Sequence, residues 1–273
     1  MTRDKDIIDV WMQQPNRSFL AQPFFDSLRR WTHQAELPCP SLTETLEAMG
    51  AAGVRTGLLS AWCGPAGPLI SNDEVGECVR RHPEHFVGVA SVHLARPMEA
   101  VRELRRCVRE LGFRGLRVVP WLWNLPPDDR RYYPLYAECI ELDVPFCLQV
   151  GHTGPLLPSE PGRPIPYLEN VAMEFPELRI VAGHIGHPWT HEMISVLDKC
   201  ENVYVDTSAY VPKRFPAELV DYLRSRGGNR IMFGSNYPML TPARCLEGLD
   251  ELGLNPETRA AFLHDNARRV FRL

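Results

Sequence analysis

A chain of 273 residues, 44% hydrophobic and 23% charged, can bury a large core and falls within the usual span of one α/β barrel, so a single domain over residues 1–273 is expected. Its 30 basic and 34 acidic residues give a formal net charge of −4, which leaves no electrostatic footprint for nucleic acid. No run approaches the roughly 18 consecutive apolar residues of a membrane span, and the polar start Met1-Thr-Arg-Asp-Lys-Asp argues against a secretory signal.

The basic clusters Arg102 to Arg109 and Arg268-Arg269 stand at helical spacing between apolar residues and read as solvated faces. Eight cysteines are scattered without a CxxC pair, and Cys107, Cys139, Cys147 and Cys200 fall at positions otherwise apolar. Reduced core thiols in a cytoplasmic protein are the expectation, and neither a disulfide framework nor a zinc cluster is.

Eight short β-rich runs follow in order: 6–11, 54–60, 86–92, 114–119, 145–150, 179–182, 202–207 and 230–234. Helical stretches separate them. The first starts at Ser41, with Glu44 three residues on as a capping box, and stops at Gly53. Others are read over 73–81, 98–111, 135–142, 165–174 and 216–226, the last closed by Gly227-Gly228. The tail 256–271 reads as a helix on the outside of the barrel. Residues 13–40 form a Pro/Phe/Gln-rich stretch without an assigned element.

Eight strands alternating with helices predict an α/β fold, a single (β/α)8 TIM-type barrel, because parallel neighbours need a crossover each time. A doubly wound open sheet shares this pattern, but no GxGxxG or GxxxxGK[ST] turn follows an early strand. In a barrel the site lies at the C-terminal ends of the strands. Those ends supply Trp11 and Gln13, Trp62, His93, Arg117, His152, His184 and His187, Asp206 and Tyr210, and Asn236 with Tyr237.

The stretch Val181-Ala-Gly-His-Ile-Gly-His-Pro-Trp189 centres this reading: a buried strand runs into a Gly/Pro turn that presents His184 and His187. Hydrogen-bonded loop histidines are the alternative. Arg117 either binds a substrate carboxylate or bridges strands inside the barrel. Asp206 either supports His184 or caps its own turn with Thr207 and Ser208. Trp123 belongs to an aromatic loop, with Trp121, Tyr132 and Tyr133, that suits a pocket wall or a homodimer contact.

The phrases Leu148-Gln-Val-Gly-His152-Thr-Gly, Val181-Ala-Gly-His184, Val203-Tyr-Val-Asp206-Thr-Ser, Phe233-Gly-Ser-Asn236-Tyr-Pro and Asn266-Ala-Arg-Arg-Val-Phe resemble the amidohydrolase superfamily. The branch is the amidohydrolase-2 group related to aminocarboxymuconate semialdehyde decarboxylase, and the likeness runs nearly end to end. It implies a divalent metal, usually zinc or manganese, held by a His-x-His at the first strand, a His at the fifth and an Asp at the eighth. Here Trp11 and Gln13 stand at the His-x-His positions and Asn236 at the Asp position, while His152 and His184 are kept. An indole offers no lone pair and an amide oxygen no net charge.

These departures set the expectation of no cofactor. Zinc or manganese is disfavoured, even in an alternative set of His152, His184, His187 and Asp206. The expected function is an enzyme that hydrolyses a small carboxylated, carbonyl or lactone-like substrate. His152 and His184 would act as acid and base, Asn236 as oxyanion donor and Arg117 as anion clamp. Trp11, Gln13, Trp123, His187, Asp206 and Tyr210 would surround the substrate. A metal-assisted decarboxylase or hydrolase and a ligand-binding pseudoenzyme are the alternatives.

Overall fold

The computed structural model describes residues 6–273, so the reading of the first five residues lies outside the described part. Eight parallel strands line up as β1 (Ile7–Met12), β2 (Val54–Ser60), β3 (Phe86–Val89), β4 (Leu116–Val118), β5 (Phe146–Gln149), β6 (Ile180–Gly183), β7 (Val203–Asp206) and β8 (Ile231–Met232). Hydrogen bonds join β1, β2 and β3 in one group and β4 to β8 in another. Parallel bridges at Ala90–Leu116 and Met12–Tyr237 connect the two groups. The sheet therefore closes into the expected (β/α)8 barrel. All eight expected runs contain a strand, most shorter than read, because ladder pairing ends where the chain begins to turn over the barrel rim.

Local rules hold where the sequence spelled them out. Glu44 N donates to Ser41 Oγ and Ser41 N to Glu44 Oε2, which caps Leu42–Ala52, and Gly53 ends that helix at φ 78°. In Pro97–Arg109 the buried Ala100, Val101, Leu104 and Cys107 form one stripe, while Arg102, Arg105 and Arg109 face solvent. All eight cysteines are free, and six are buried. No helix among the described residues is long and apolar enough to cross a membrane.

The helix Thr190–Lys199 was not read from the sequence, and three further features differ from the reading. An antiparallel hairpin, Trp62–Gly64 with Gly67–Ile70, extends from the end of β2. Residues 13–40 hold the short helices Arg17–Leu20 and Asp26–Thr32, with Phe19 and Phe25 buried between them and the barrel. The tail does not lie simply on the outside. Ala267, Val270 and Phe271 pack against the inward-facing Ile8, Val10, Leu58, Val89, Cys147, Val181 and Met232, so the last helix plugs one end of the barrel. The site has only the other end in which to form.

Candidate active site

The barrel mouth is shaped by one close approach. A Cβ on Gly183 would lie 2.4 Å from the Trp11 ring, so the glycine at the end of β6 lets the indole lie across the mouth. Beyond the strands, His184, Ile185, Ala209 and Asn236 all adopt left-handed backbone, with φ between 54° and 75°. Such non-glycine geometry costs on the order of 1–2 kcal/mol per residue and gathers at functional sites. Cross-strand bonds hold it: Ile185 N to Asp206 O at 3.3 Å, Ala209 N to Ser235 O at 3.3 Å, and Asn236 N to Trp11 O at 2.8 Å.

Above this rim lies a cavity of about 380 Å³. Phe19, Phe25, Trp31, Trp62, Trp121 and Leu240 form its apolar walls, and Gln13, Gln149, His152, His184, Tyr210 and Asn236 supply its polar groups. No arginine or lysine lines it. A larger groove of about 760 Å³ runs between the hairpin and the helices Asn72–Arg81 and Pro97–Arg109. It is lined by His93 but by neither His152 nor His184, and Arg96 and Arg106 there are paired with Glu99, Glu103 and Asp73. The chemistry sits in the smaller cavity.

The polar groups are fixed by hydrogen bonds. Gln13 Nε2 donates to Tyr237 O at 2.5 Å and to Asn236 Oδ1 at 3.3 Å, and Gln13 Oε1 is left without a partner among the described residues. Trp121 Nε1 donates to Gln149 Oε1 at 2.5 Å. His184 Nδ1 lies 2.6 Å from Ser208 Oγ, so Nε2 is the nitrogen left to meet a ligand. Burial, with a smaller contribution from the Arg117 charge, pushes the His184 pKa down to about 3 and keeps the ring neutral near pH 7. Burial likewise pushes the Tyr210 hydroxyl up to about 12. His152 follows the neighbouring strand β5 and is exposed, 3.4 Å from Ser159 Oγ.

Beneath the cavity lies a buried charged layer. Arg117 Cζ stacks 3.6 Å from the Trp11 ring centroid, and its Nη2 donates to Val10 O at 3.0 Å. Asp9 Oδ1 accepts from Trp11 N at 3.1 Å and Ser235 N at 3.0 Å, but burial still raises Asp9 to about 7. Burial raises Asp206 to about 6, opposed by hydrogen bonds from Ser208 and by Arg117. Desolvation pulls Arg117 down to about 10, against the pull of Cys147 and both acids. One cation thus faces two carboxylates in a dry layer.

Of the residues expected to act, His152, His184, Asn236, Gln13 and Tyr210 meet in one cavity. Five do not line it. Arg117 points into the barrel interior under Trp11 and is not the substrate clamp that was expected. Trp11 itself is buried, 5.0 Å from the His184 ring between centroids. Trp123 donates to Cys63 O at 3.1 Å, and Trp121 takes the wall instead. His187 is exposed beside Tyr210, with ring centroids 6.1 Å apart. Asp206 lies behind His184, held by Ser208 N at 2.9 Å. Reading strand ends missed Gln149 and Ser208 as site groups. The cap of Asp206 on its own turn was one of the two roles read for it, and Ser208 N does donate to Asp206 Oδ1; the contact of Ser208 with His184 joins two strand ends and had no signal in the spacing.

A barrel whose strand ends bring two histidines and three amides to one aromatic-walled cavity has the architecture of a small-molecule enzyme site. A family model described as amidohydrolase matches residues 28–273, and the chain belongs to that family. Among curated relatives, gamma-resorcylate decarboxylase of Rhodococcus jostii is 29% identical, covering 74% of this chain and 75% of its own. An uncharacterized TIM-barrel protein of Bordetella bronchiseptica superposes with a TM-score of 0.84 at 28% identity, covering 97% of this chain and 98% of that one. Dihydroxybenzoic acid decarboxylase of Polaromonas sp. JS666, solved with bound manganese, gives 0.75 at 22% identity over 99% and 98% of the two chains; at that identity the likeness speaks for the fold.

These relatives bear on two expectations. The expectation of no cofactor is overturned: the Polaromonas structure and two of 5-carboxyvanillate decarboxylase from Novosphingobium aromaticivorans hold manganese. Several curated relatives are named decarboxylases, the second choice above, and the hydrolysis placed first is not confirmed. The donors of this chain do not reproduce the metal set that the resemblance calls for. Trp11 presents a buried indole N–H, and Gln13 and Asn236 are neutral amides that bond to one another. Among the described residues no group of three or more His, Cys, Asp or Glu could hold a metal ion.

Proposed function

We propose that this chain, as one barrel domain over residues 1–273, is a carboxy-lyase that acts on a small aromatic acid carrying a hydroxyl beside its carboxylate. The observation that carries the reading is the cavity itself: about 380 Å³, walled by aromatic rings, with His152 and His184 on its surface and no arginine or lysine. Flat walls suit a ring. A carboxylate held there loses water and meets no arginine or lysine, whereas carbon dioxide is uncharged, so the surroundings favour product over bound acid.

His184, neutral and tied at Nδ1, presents Nε2 to the substrate hydroxyl and draws electron density into the ring. His152, in its protonated form, delivers a proton to the ring carbon that bears the carboxylate. The carbon–carbon bond then breaks, its electron pair restores the ring, and carbon dioxide leaves. Exposure of His152 lets solvent return the proton. Asn236 Nδ2 donates to the carboxylate, and Gln13 Oε1 is left to accept from a hydroxyl of the acid. Hydrolysis is served less well, because Gln13 Nε2 is spent on Tyr237 O and Asn236 Oδ1, leaving Asn236 Nδ2 as the single neutral donor between the two amides.

The test is carbon dioxide release from 2,6-dihydroxybenzoate and from its 3,5-isomer, with manganese supplied and withheld. Release from the 2,6-isomer is expected, and His152→Ala and His184→Ala should each lower kcat by roughly 10²–10³. Equal turnover of both isomers, or turnover indifferent to both replacements, contradicts the reading.

A further inference from the structure

Gln149 closes β5, and its side chain leaves the strand on the same face as that of Cys147 two residues earlier, which packs inside the barrel. One layer higher, at the mouth, that face carries an amide that lines the cavity while the residue itself stays buried. A buried amide is costly unless its groups are bonded. Trp121 Nε1 donates to Gln149 Oε1 at 2.5 Å, and Gln149 Nε2 donates to His152 O at 3.2 Å.

Those partners leave the amide one orientation. An indole N–H can only donate and a carbonyl oxygen can only accept, so turning the amide over would set Nε2 against the indole N–H and Oε1 against His152 O. Trp121 is wedged in place: its ring is buried, with centroid distances of 5.5 Å to Phe24 and 6.0 Å to Trp62. Of the two N–H groups on Gln149 Nε2, one is spent on His152 O, and the other has no partner among the described residues. Gln13, held through its own Nε2 by Tyr237 O, has the opposite polarity, with Oε1 unpaired. The cavity thus offers a fixed donor at the end of β5 and a fixed acceptor just past β1.

We propose that Gln149 is a binding residue that donates through Nε2 to an oxygen of the ligand, and that Trp121 positions it to do so. The site then takes a carboxylate or carbonyl oxygen at that point. The direction of the amide rests on its two bonds alone; that the oxygen belongs to the carboxylate of an aromatic acid rests on the carboxy-lyase reading.

Calorimetric titration of the full chain with three ligands sharing one ring tests it. These are 2,6-dihydroxybenzoate, 2,6-dihydroxyacetophenone, whose neutral carbonyl is an acceptor without a carboxylate, and resorcinol, which has neither group. Gln149→Glu keeps an oxygen for Trp121 and removes the donor. It should weaken the ketone by about tenfold and the acid by more, and leave resorcinol within about twofold. In that variant the Trp121 indole N–H, assigned in proton NMR by its loss in Trp121→Phe, should stay shielded from exchange with solvent. In Gln149→Met it should exchange faster, and acid and ketone should again bind about tenfold more weakly. Unchanged affinity for both in the two variants overturns the proposal, as does an equal loss of all three ligands, which marks a structural role. A parent chain that binds acid and ketone no more tightly than resorcinol overturns it too, and an indole signal indifferent to Gln149→Met overturns the positioning by Trp121. The expected losses in a chain that releases no carbon dioxide would leave Gln149 as the donor and remove the carboxy-lyase reading. Carbon dioxide release with unchanged affinities would do the reverse.

Discussion

His184 stood out in the sequence because a buried strand and a Gly/Pro turn fix where such a side chain must emerge. The tryptophans after β4 did not separate in the same way. A short helix, Pro120–Trp123, turns Trp121 to the cavity and Trp123 to Cys63 O, and nothing in the spacing of two aromatic residues decides between those directions. Trp121→Phe keeps the ring and removes the donor to Gln149. KM for an aromatic acid should rise roughly threefold to tenfold with kcat little changed, as expected for one lost neutral hydrogen bond. Steady-state kinetics checks it, and a selective loss of kcat would place Trp121 in the chemistry. Arg117 shows the limit of single-residue reading: both roles allowed for it used the same strand position, and only the stacking on Trp11 shows which one the fold adopts.

Strands were legible as elements because parallel strands buried on both faces read as continuous apolar runs with crossover helices between them. The hairpin after β2 was not, because its two arms are only three and four residues long, too short for alternation to show on either side of the Gly64-Pro65-Ala66-Gly67 turn. Residues 13–40 lack a period of either kind, yet they supply Phe19, Phe25 and Trp31 to the cavity wall. At the same scale, β6 and β1 are matched through Gly183. Gly183→Ala would press a methyl group against the Trp11 ring with backbone on both sides. Overpacking of this kind costs about 1–3 kcal/mol. Thermal melting should show a lower Tm, and Trp11→Phe in the same chain should recover part of the loss. A Gly183→Ala variant as stable as the parent would mean that the indole does not lie across the mouth.

At the scale of the whole molecule, stability carries the signature of the buried charged layer. Asp9 titrates near 3.8 when unfolded and at about 7 in the fold, so the folded state holds its proton longer and stability is lost as pH rises between those values. Asp206, raised to about 6, adds to the same loss. His184 acts in the opposite sense: its pKa falls from 6.5 to about 3, and stability is lost as pH falls between them. Asp9→Asn keeps an oxygen for Trp11 N and Ser235 N and removes the ionisation. Its Tm relative to the parent should therefore climb from pH 5 to pH 8. A constant difference would show that Asp9 is not desolvated.

The most direct test of the carboxy-lyase reading is to incubate the chain with 2,6-dihydroxybenzoate in D₂O, with manganese supplied, and to examine the aromatic product by proton NMR. Protonation by His152 predicts resorcinol carrying one deuterium at the carbon that bore the carboxylate, formed at a rate that His184→Ala depresses. Acid recovered unchanged, or hydrolysis of an ester or lactone that depends on His184 while aromatic acids remain intact, would contradict it.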